Sequence, residues 1–342
     1  MNPGASRAPA AAASAGGAAT SAALPAALAK EILSGDSRAL ARGMSLVENG
    51  AAEATALLDA LYGQKSAAPR IGFTGPPGAG KSTLVAEYAR LLRAQGRQVG
   101  VIAVDPTSPF TGGAILGDRV RMSDHATDGK VFIRSMATRG SLGGLAARTG
   151  ELAELLDAWG SETTLIETVG VGQSELDVAE TADTTVVVLT PESGDAIQTL
   201  KAGLMEIADV LVLNKADHPG ADPMDAALRS SLAFRPKGGF TPPIVRTIAT
   251  ERKGIEAMHA AIQEHRAWAE RPEQAEIARR ERARARIRLA VREGLLDSWA
   301  ARQGLESWIE AAADQVLAGG LSPYRAARDV IERMTRHGGN AS

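Results

Sequence analysis

The feature that most constrains this chain is a glycine-rich segment from Gly75 to Ser82, with the sequence GPPGAGKS. It follows a short apolar run, Ile71–Phe73, and precedes an amphipathic stretch that predicts a helix from Ser82 to about Ala94. The segment fits the pattern G-x-x-x-x-G-K-[ST], in which glycines let backbone N–H groups turn around a phosphate and a helix N-terminus favours an anion. The sequence therefore predicts a phosphate-binding loop between a strand and a helix.

Each position of this loop has a predicted role. We expect Lys81 to reach β- and γ-phosphate oxygens, Ser82 to bind Mg²⁺ and Thr83 to lie near the α-phosphate. The alternative, a tight turn that only needs glycine, is disfavoured by the complete pattern in this context. The remaining loop residues expected around the phosphates are Gly75, Pro76, Pro77, Gly78, Ala79 and Gly80.

Short apolar runs alternate with helical patterns after Arg70. The runs are continuous, which indicates strands buried on both faces, and their separation by helices indicates a parallel sheet. We therefore predict an α/β fold with a doubly wound, mostly parallel sheet over residues 67–265. The runs after the first lie at residues 99–104, 131–133, 164–166, 185–189, 210–213 and 244–245.

Three further parts flank this predicted domain. Residues 1–24 are rich in Ala, Gly, Ser and Pro, which predicts a disordered tail. Residues 25–66 carry apolar residues at three- and four-residue steps, which predicts an N-terminal helical region. Residues 266–342 are predicted to be helical as well, and their basic stretch at 279–292 is interpreted as a solvated helix face rather than a polyanion site.

Charge and composition exclude several classes of protein. Lys and Arg number 38 against 40 Asp and Glu, a net charge of −2 that argues against a general nucleic-acid binder. No run approaches the roughly 18 apolar residues of a membrane span. Cysteine is absent, which excludes disulfide scaffolds, thiolate metal sites and cysteine nucleophiles. These observations favour a cytoplasmic protein without a membrane or nucleic-acid partner.

A second motif, Asn214-Lys215-Ala216-Asp217, follows the apolar run 210–213 and lies about 130 residues after the phosphate loop. The Asp217 carboxylate can accept hydrogen bonds from guanine N1–H and the 2-amino group, whereas adenine offers neither donor. We expect Asn214 to contact the base and brace the phosphate loop, and the Lys215 stem to pack on the purine face. The motif in this position indicates GTP rather than ATP.

Acidic residues at predicted strand ends complete the candidate site. Glu167 directly follows the run 164–166. Phosphate-loop NTPases carry an acid at this position, usually Asp, that holds Mg²⁺. Gly170 is placed for its N–H to contact the γ-phosphate, and Gln173 follows Glu167 by six residues, which leaves its alignment for hydrolysis open. The predicted catalytic residues are Lys81, Glu167, Gly170, Gln173 and Asp105.

Two further acids are candidates for the metal. Asp105 ends a strand beside the phosphate loop, and Asp118 lies in a glycine-rich stretch, so both are predicted to reach Mg²⁺ directly or through water. For Asp118, a surface acid or a helix cap is an equal alternative. Arg119 and Arg121 fit either stabilisation of transition-state charge or a solvated surface.

Four strings together, GPPGAGKST, DPTSPFTGGAILGDRVRM, ETVGVGQSE and NKAD, resemble the MeaB/ArgK family of SIMIBI-type P-loop GTPases. The resemblance runs from about residue 27 to 337, and Glu167 in place of Asp agrees with it. It implies a Mg²⁺-dependent GTPase that is slow alone, is stimulated by a partner, and forms a homodimer through its C-terminal helices. The implied partner is an adenosylcobalamin-dependent acyl-CoA mutase, for which the GTPase acts as a chaperone that gates cofactor loading and removal of inactivated cofactor. Adenosylcobalamin is then met only through that mutase.

The resemblance also implies roles for single residues. A mutase-responsive segment corresponds to residues 191–201, with Asp195 and Lys201 as regulatory positions. Ile248-Ala249-Thr250 stands where the family often has Ser-Ala-x, and the Ala249 N–H is expected to contact guanine O6. The absent Ser hydroxyl leaves the nucleotide affinity open.

Three alternatives remain beside this interpretation. A nickel-insertion metallochaperone GTPase has the same fold class, but it needs Cys or His ligands, and this sequence has no cysteine and no His cluster. A P-loop kinase is disfavoured by the NKAD motif. An interaction module with a vestigial nucleotide site is disfavoured because Lys81, Ser82, Asp105 and Glu167 are all present.

Overall fold

The computed structural model describes residues 17–105, 128–137, 144–168, 178–179, 181–191, 203–233 and 239–277, and from there residues 280, 284, 287–288, 305–317, 322, 325–326, 328–330 and 332. The chain divides into two compact units, Met1–Arg282 and Ala283–Ser342. None of the helices within these described ranges is both long and apolar enough to cross a membrane.

The first unit is built on a seven-stranded sheet in which every strand pairs in parallel with its neighbours. Their order in the sheet is β3-β2-β4-β1-β5-β6-β7. The predicted α/β fold with a doubly wound parallel sheet is confirmed, and each predicted apolar run lies within one strand. The strands are β1 (Arg70–Thr74), β2 (Val99–Asp105), β3 (Val131–Ala137), β4 (Thr163–Thr168), β5 (Thr184–Leu189), β6 (Val210–Leu213) and β7 (Ile244–Arg246).

Helices cover both faces of this sheet. One face carries a core in which Phe73 and Val188 of the sheet meet Tyr88 and Met258. The α-helices named in the described ranges of the first unit are α1 (Gly17–Leu33), α2 (Ser37–Glu48), α3 (Glu53–Leu61), α4 (Lys81–Ala94), α5 (Gly144–Trp159), α6 (Leu204–Ile207), α7 (Ala221–Leu232) and α8 (Ile255–Ala269). A 3₁₀ turn covers Ala249–Glu251, and residues 272–277 are helical.

The N-terminal helices α1–α3 share one buried cluster with α5, β2 and β3. Gly43 of α2 lies so close to α5 that an added Cβ would come within 2.9 Å of Leu155 Cδ2. Trp159 Nε1 donates a hydrogen bond to the Gly35 carbonyl at 3.0 Å. The helical region predicted at the N-terminus therefore completes the hydrophobic core of the first unit.

Helix boundaries differ from the predicted regions at two places. Helix α1 begins at Gly17, inside the stretch 1–24 predicted as a disordered tail. Residues 17–24 include four alanines, the strongest helix former, so the helix extends from the apolar-periodic part towards the N-terminus. Helix α8 spans the predicted boundary at residue 265 and ends at Ala269.

The second unit contains helix α9 (Leu305–Leu317). Its residues 307–316 are all exposed or half-buried, and the Ile309 side chain is 44% exposed. None of the apolar side chains in residues 307–316 is buried, so this stretch does not pack an apolar face into a core of the second unit.

Candidate functional site

The phosphate loop connects β1 to α4 at the carboxyl edge of the sheet, and β1 lies at its centre, between β4 and β5. Gly75 has a φ of +134°, and an added Cβ would lie 2.1 Å from the Val188 carbonyl oxygen. Gly80 has a φ of +90°, and a Cβ there would lie 2.3 Å from Asn214 Nδ2. Both positions require glycine, one for backbone packing against β5 and the other for contact with the second motif.

Lys81 is the first residue of α4, and its side chain is buried. Its Nζ donates hydrogen bonds to the carbonyls of Gly75 at 2.7 Å and Pro76 at 3.0 Å. The ammonium group therefore lies over the loop that precedes it, near the helix N-terminus, so that both contribute positive potential at the same place. This is where the sequence predicts the β- and γ-phosphates.

Ser82 and Glu167 meet beside the loop. The Ser82 hydroxyl donates to Glu167 Oε1 at 2.5 Å, and both residues are buried. Glu167 lies on β4, in register with Phe73 of β1 and Ala103 of β2. A hydroxyl and a carboxylate are hard oxygen ligands of the kind that Mg²⁺ prefers, so this donor pair fits the predicted metal.

Asp105 ends β2, the strand next to β4, and pairs in register with Ala137 of β3. Since Val104 is in register with Thr168, the backbone of Asp105 lies at the same carboxyl edge as Glu167. Thr83 follows in the first turn of α4 and is half-buried. Five predicted site residues lie outside the described ranges: Gly170, Gln173, Asp118, Asp195 and Lys201.

Asn214 joins the phosphate loop to the predicted base-binding segments. Its Nδ2 donates to the Ala79 carbonyl at 2.8 Å, and its Oδ1 accepts from Thr247 Oγ1 at 3.0 Å and from the Ala249 N–H at 3.1 Å. The side chain is buried, so each of these bonds replaces one to water. A single amide thus fixes three chain segments relative to one another.

Ala249 and Thr247 extend this network. The Ala249 N–H, which we expected at guanine O6, donates to Asn214 Oδ1 in this structure, so a bound base would share it. Thr247 was missed by the sequence analysis, although its position directly before Ile248-Ala249-Thr250 is a usable signal. Its hydroxyl orients the Asn214 carbonyl oxygen and thereby fixes which side of the amide faces the phosphate loop.

Lys215 and Asp217 follow on the turn after β6. Lys215 has a left-handed φ of +55°, and the Ala216 N–H donates to the Thr247 carbonyl at 3.1 Å. The Asp217 carboxylate is accessible, with His218 Nε2 at 3.8 Å. Hydrogen bonding to Glu251 raises the pKa of Lys253, and the field of Asp217 adds to this rise.

The described site therefore has two ends that are connected. The phosphate loop, Ser82 and Glu167 form one end, where anions and a divalent cation fit. Asp217, Lys215 and the turn Ala249–Glu251 form the other end, and Asn214 joins the two. Such an arrangement can hold a nucleotide with its phosphates and base at fixed separation.

Comparisons with known proteins identify the family that this chain resembles and several relatives. The family model described as methylmalonyl-CoA mutase-associated GTPase MeaB matches residues 40–304. The chain is 40% identical over 242 residues to the GTPase ArgK of Escherichia coli, covering 68% of this chain and 73% of that protein. It is 36% identical over 267 residues to the mitochondrial methylmalonic aciduria type A homolog of Mus musculus, covering 75% of this chain and 63% of that protein.

A solved structure extends the likeness to the fold. The crystal structure of a LAO/AO transport system kinase superposes with a TM-score of 0.67 at 30% identity. The similarity covers 92% of this chain and 98% of that one.

Proposed function

Because this chain belongs to the MeaB family of GTPases, we propose that it binds GTP between the phosphate loop and the Asn214–Asp217 segment and hydrolyses it there. GTP hydrolysis is the activity of the family. The observation that supports this particular site is the position of Asn214, which connects the phosphate loop to the turn that carries Ala249.

The residues of the site suggest how hydrolysis proceeds. Ser82 and Glu167 would hold Mg²⁺, which when bound neutralises charge on the β- and γ-phosphate oxygens. Lys81 and the N-terminus of α4 stabilise the same charge from the side of the loop. Asp105 is proposed as a further metal contact at the same edge. Positioning and charge neutralisation of this kind need no covalent intermediate.

Replacement of Lys81 tests the site. We expect Lys81→Ala to abolish GTP hydrolysis, because the ammonium group lies over the loop where the β- and γ-phosphates are expected. Lys130→Ala, which removes an exposed lysine of the same unit, is the matched control and should hydrolyse GTP at the wild-type rate. Near-wild-type GTP turnover in Lys81→Ala would contradict the proposed site.

We further propose that the GTPase acts as a chaperone of an adenosylcobalamin-dependent acyl-CoA mutase, gating the loading of cofactor and the removal of inactivated cofactor. The support is the family, which is described as associated with methylmalonyl-CoA mutase, and the relative named for methylmalonic aciduria. Adenosylcobalamin would then be bound by the mutase. Asp195 and Lys201 are the positions that we propose to respond to the mutase.

Purified mutases test this partnership. Methylmalonyl-, ethylmalonyl-, isobutyryl- and 2-hydroxyisobutyryl-CoA mutases are each mixed with the chain in the presence of GDP or a non-hydrolysable GTP analogue. We expect one of them to form a complex by light scattering and to accelerate GTP hydrolysis. A chain that binds nucleotide normally, yet neither binds nor responds to any of them, would contradict the proposal.

We also propose a homodimer formed through the C-terminal helices. Three of the large hydrophobic side chains that are exposed in the described part of the chain lie in this region. Ile277 is 59% exposed, Ile287 is 65% exposed and Ile309 is 44% exposed. Exposed large apolar residues that recur along one part of the sequence favour a protein–protein contact made by that part.

A further inference from the structure

Arg252 has a backbone conformation that its residue type does not favour. Among the described residues, two non-glycine residues have left-handed φ angles, Lys215 at +55° and Arg252 at +59°. Lys215 belongs to the NKAD motif, whereas Arg252 ends the turn Ala249–Glu251. The backbone of a non-glycine residue is strained in this region, whereas that of glycine is not. An arginine at this position therefore suggests that its side chain makes a functional contact.

The Arg252 side chain contacts helix α4. Its Nε lies 3.2 Å from Glu87 Oε2, and the Glu87 side chain is 14% exposed while that of Arg252 is 66% exposed. The same carboxylate accepts two hydrogen bonds from Arg90 Nη1, at 2.9 and 2.7 Å, which hold it in one orientation. Helix α4 begins at Lys81, so this ion pair links the turn to the helix that carries the phosphate loop.

The turn that carries Arg252 is closed by backbone hydrogen bonds. The Ile248 N–H donates to the Lys253 carbonyl at 3.1 Å, and the Lys253 N–H donates to the Ile248 carbonyl at 3.2 Å. The Arg252 N–H donates to the Ala249 carbonyl at 3.1 Å. These hydrogen bonds make residues 248–253 one closed turn. A contact that fixes the position of Arg252 therefore also fixes the position of Ala249.

We propose that Arg252 is a positioning residue for guanine selectivity. With Glu87 it fixes the turn 248–253 against helix α4, so the Ala249 amide keeps its distance from the phosphate loop. This inference rests on the nucleotide site proposed above. The contact is a second connection between the two ends of the site, on the α4 side, separate from the buried bridge made by Asn214.

Arg252→Gly separates positioning from folding. Glycine relieves the left-handed strain and removes the guanidinium, so the urea midpoint of the free protein should stay the same or rise. The dissociation constant for GDP should increase by about twofold to fivefold, the range for an ion pair that is exposed on one side. ADP affinity should not change, so the preference for guanine over adenine should fall by the same factor. A purely structural role would move stability and affinity in the same direction.

Three comparisons complete the test. Glu87→Gln should weaken GDP binding, and combining it with Arg252→Gly should add no further loss, because both remove one contact. Arg93→Gln, which removes a guanidinium of the same helix that pairs with Asp128 rather than with Glu87, should keep the guanine preference. An unchanged GDP affinity in Arg252→Gly, or an equal loss in Arg93→Gln, would overturn the proposal. Asp217→Asn in the same assay separates the outcomes: if it also leaves GDP binding intact, the proposed base site fails as well.

Discussion

At the scale of residues, two side chains at the base end of the site differ in how firmly the protein fixes them. Asn214 is buried and its amide is bonded on both sides, so its orientation is fixed before a nucleotide binds. Asp217 is different, because its carboxylate is accessible and its neighbours His218 and Lys253 are basic. The specificity for guanine should therefore depend on the chemistry of Asp217 more than on its packing.

We predict that Asp217→Asn weakens GTP binding by about tenfold or more, because the amide offers the guanine donors one acceptor instead of two. The same amide can donate to the carbonyl at C2 of xanthine, so affinity for xanthosine triphosphate should rise. Fluorescence titration with both nucleotides measures the two effects. His218→Gln, at the neighbouring position, should change neither affinity by more than about twofold. Equal GTP affinity in wild type and Asp217→Asn counts against the base site.

A buried histidine predicts how stability depends on pH. His265 Nδ1 lies 2.9 Å from Thr184 Oγ1, and its Nε2 lies 3.2 Å from Asp209 Oδ1. Burial lowers the pKa of His265, and the opposing fields of Asp209 and Asp183 do not reverse this. Since the folded pKa is below the unfolded value of about 6.5, the unfolded state binds the proton more readily, and the free energy of unfolding falls as pH drops through that value.

The measurement is the urea midpoint from pH 8 to pH 5. Wild type should lose stability across the acidic half of this range, and His265→Gln should show a smaller pH dependence. The matched control is His218→Gln, which removes a half-exposed histidine and should keep the wild-type slope. A slope that is the same in wild type and His265→Gln would disprove the assignment.

At the scale of elements, carboxylates satisfy backbone amides along the amino edge of the sheet. Asp183 Oδ2 accepts from the Arg70 N–H at 2.8 Å, and Asp209 Oδ2 accepts from the Thr185 N–H at 2.8 Å. Asp157 Oδ1 accepts from the Ala68 N–H at 2.9 Å, just before β1, and it also pairs with the buried Arg70 guanidinium. Parallel strands leave such amides without a ladder partner where a strand begins, and these acids supply one.

We predict that Asp183→Ala lowers the free energy of unfolding by about 1–3 kcal/mol, because the Arg70 amide loses a charged acceptor in a partly buried position. Nucleotide affinity should stay within about twofold of wild type, since the phosphate loop lies at the opposite edge. Asp59→Ala, which removes an exposed acid of α3, is the control and should be neutral. Urea unfolding and GDP titration on the same samples check both statements, and a neutral Asp183→Ala contradicts the first.

The elements also indicate what could be predicted from the sequence. Strands with a continuous apolar run, such as β5 and β6, were predictable, because burial on both faces leaves a continuous signal. Strand β3 was predicted only at 131–133, since Arg134 and Ser135 interrupt the apolar run. Arg134 is accommodated by Glu48 of α2, whose carboxylate accepts from Arg134 Nε at 2.8 Å. That contact joins residues 86 positions apart, and no local pattern reports it.

The candidate site also has parts that could be predicted from the sequence and parts that could not. The placement of the phosphate loop after β1 and of the NKAD segment after β6 was predictable, because each motif is local in the sequence. Ser82 and Glu167 were each predicted to bind Mg²⁺, and they meet because the loop after β1 and the end of β4 lie at the same edge of adjacent strands. Arg252 and Glu87 were not predictable, because a positive φ and a contact between distant segments appear only in three dimensions.

At the scale of the whole molecule, the N-terminal helices and the C-terminal region differ in how they use their apolar residues. Ile32, Leu40 and Leu57 of the N-terminal helices are fully buried against the first unit. Ile277, Ile287 and Ile309 are exposed instead. Removing an isoleucine side chain from water contributes roughly 2 kcal/mol, so leaving several of them exposed in a lone chain forgoes substantial stabilisation.

We therefore predict that glutamate at these positions prevents self-association. Ile277→Glu, Ile287→Glu and Ile309→Glu would each place a charge where the proposed dimer buries an apolar side chain, so the dimer should dissociate at least about a hundredfold more readily in the triple variant. Sedimentation equilibrium measures this. Tyr62→Glu adds the same charge at a side chain that is 76% exposed in the N-terminal part, and it should leave the oligomeric state unchanged. Because each substitution is at an exposed position, GDP affinity should persist in both variants. A triple variant that binds GDP and remains a dimer would place the interface elsewhere.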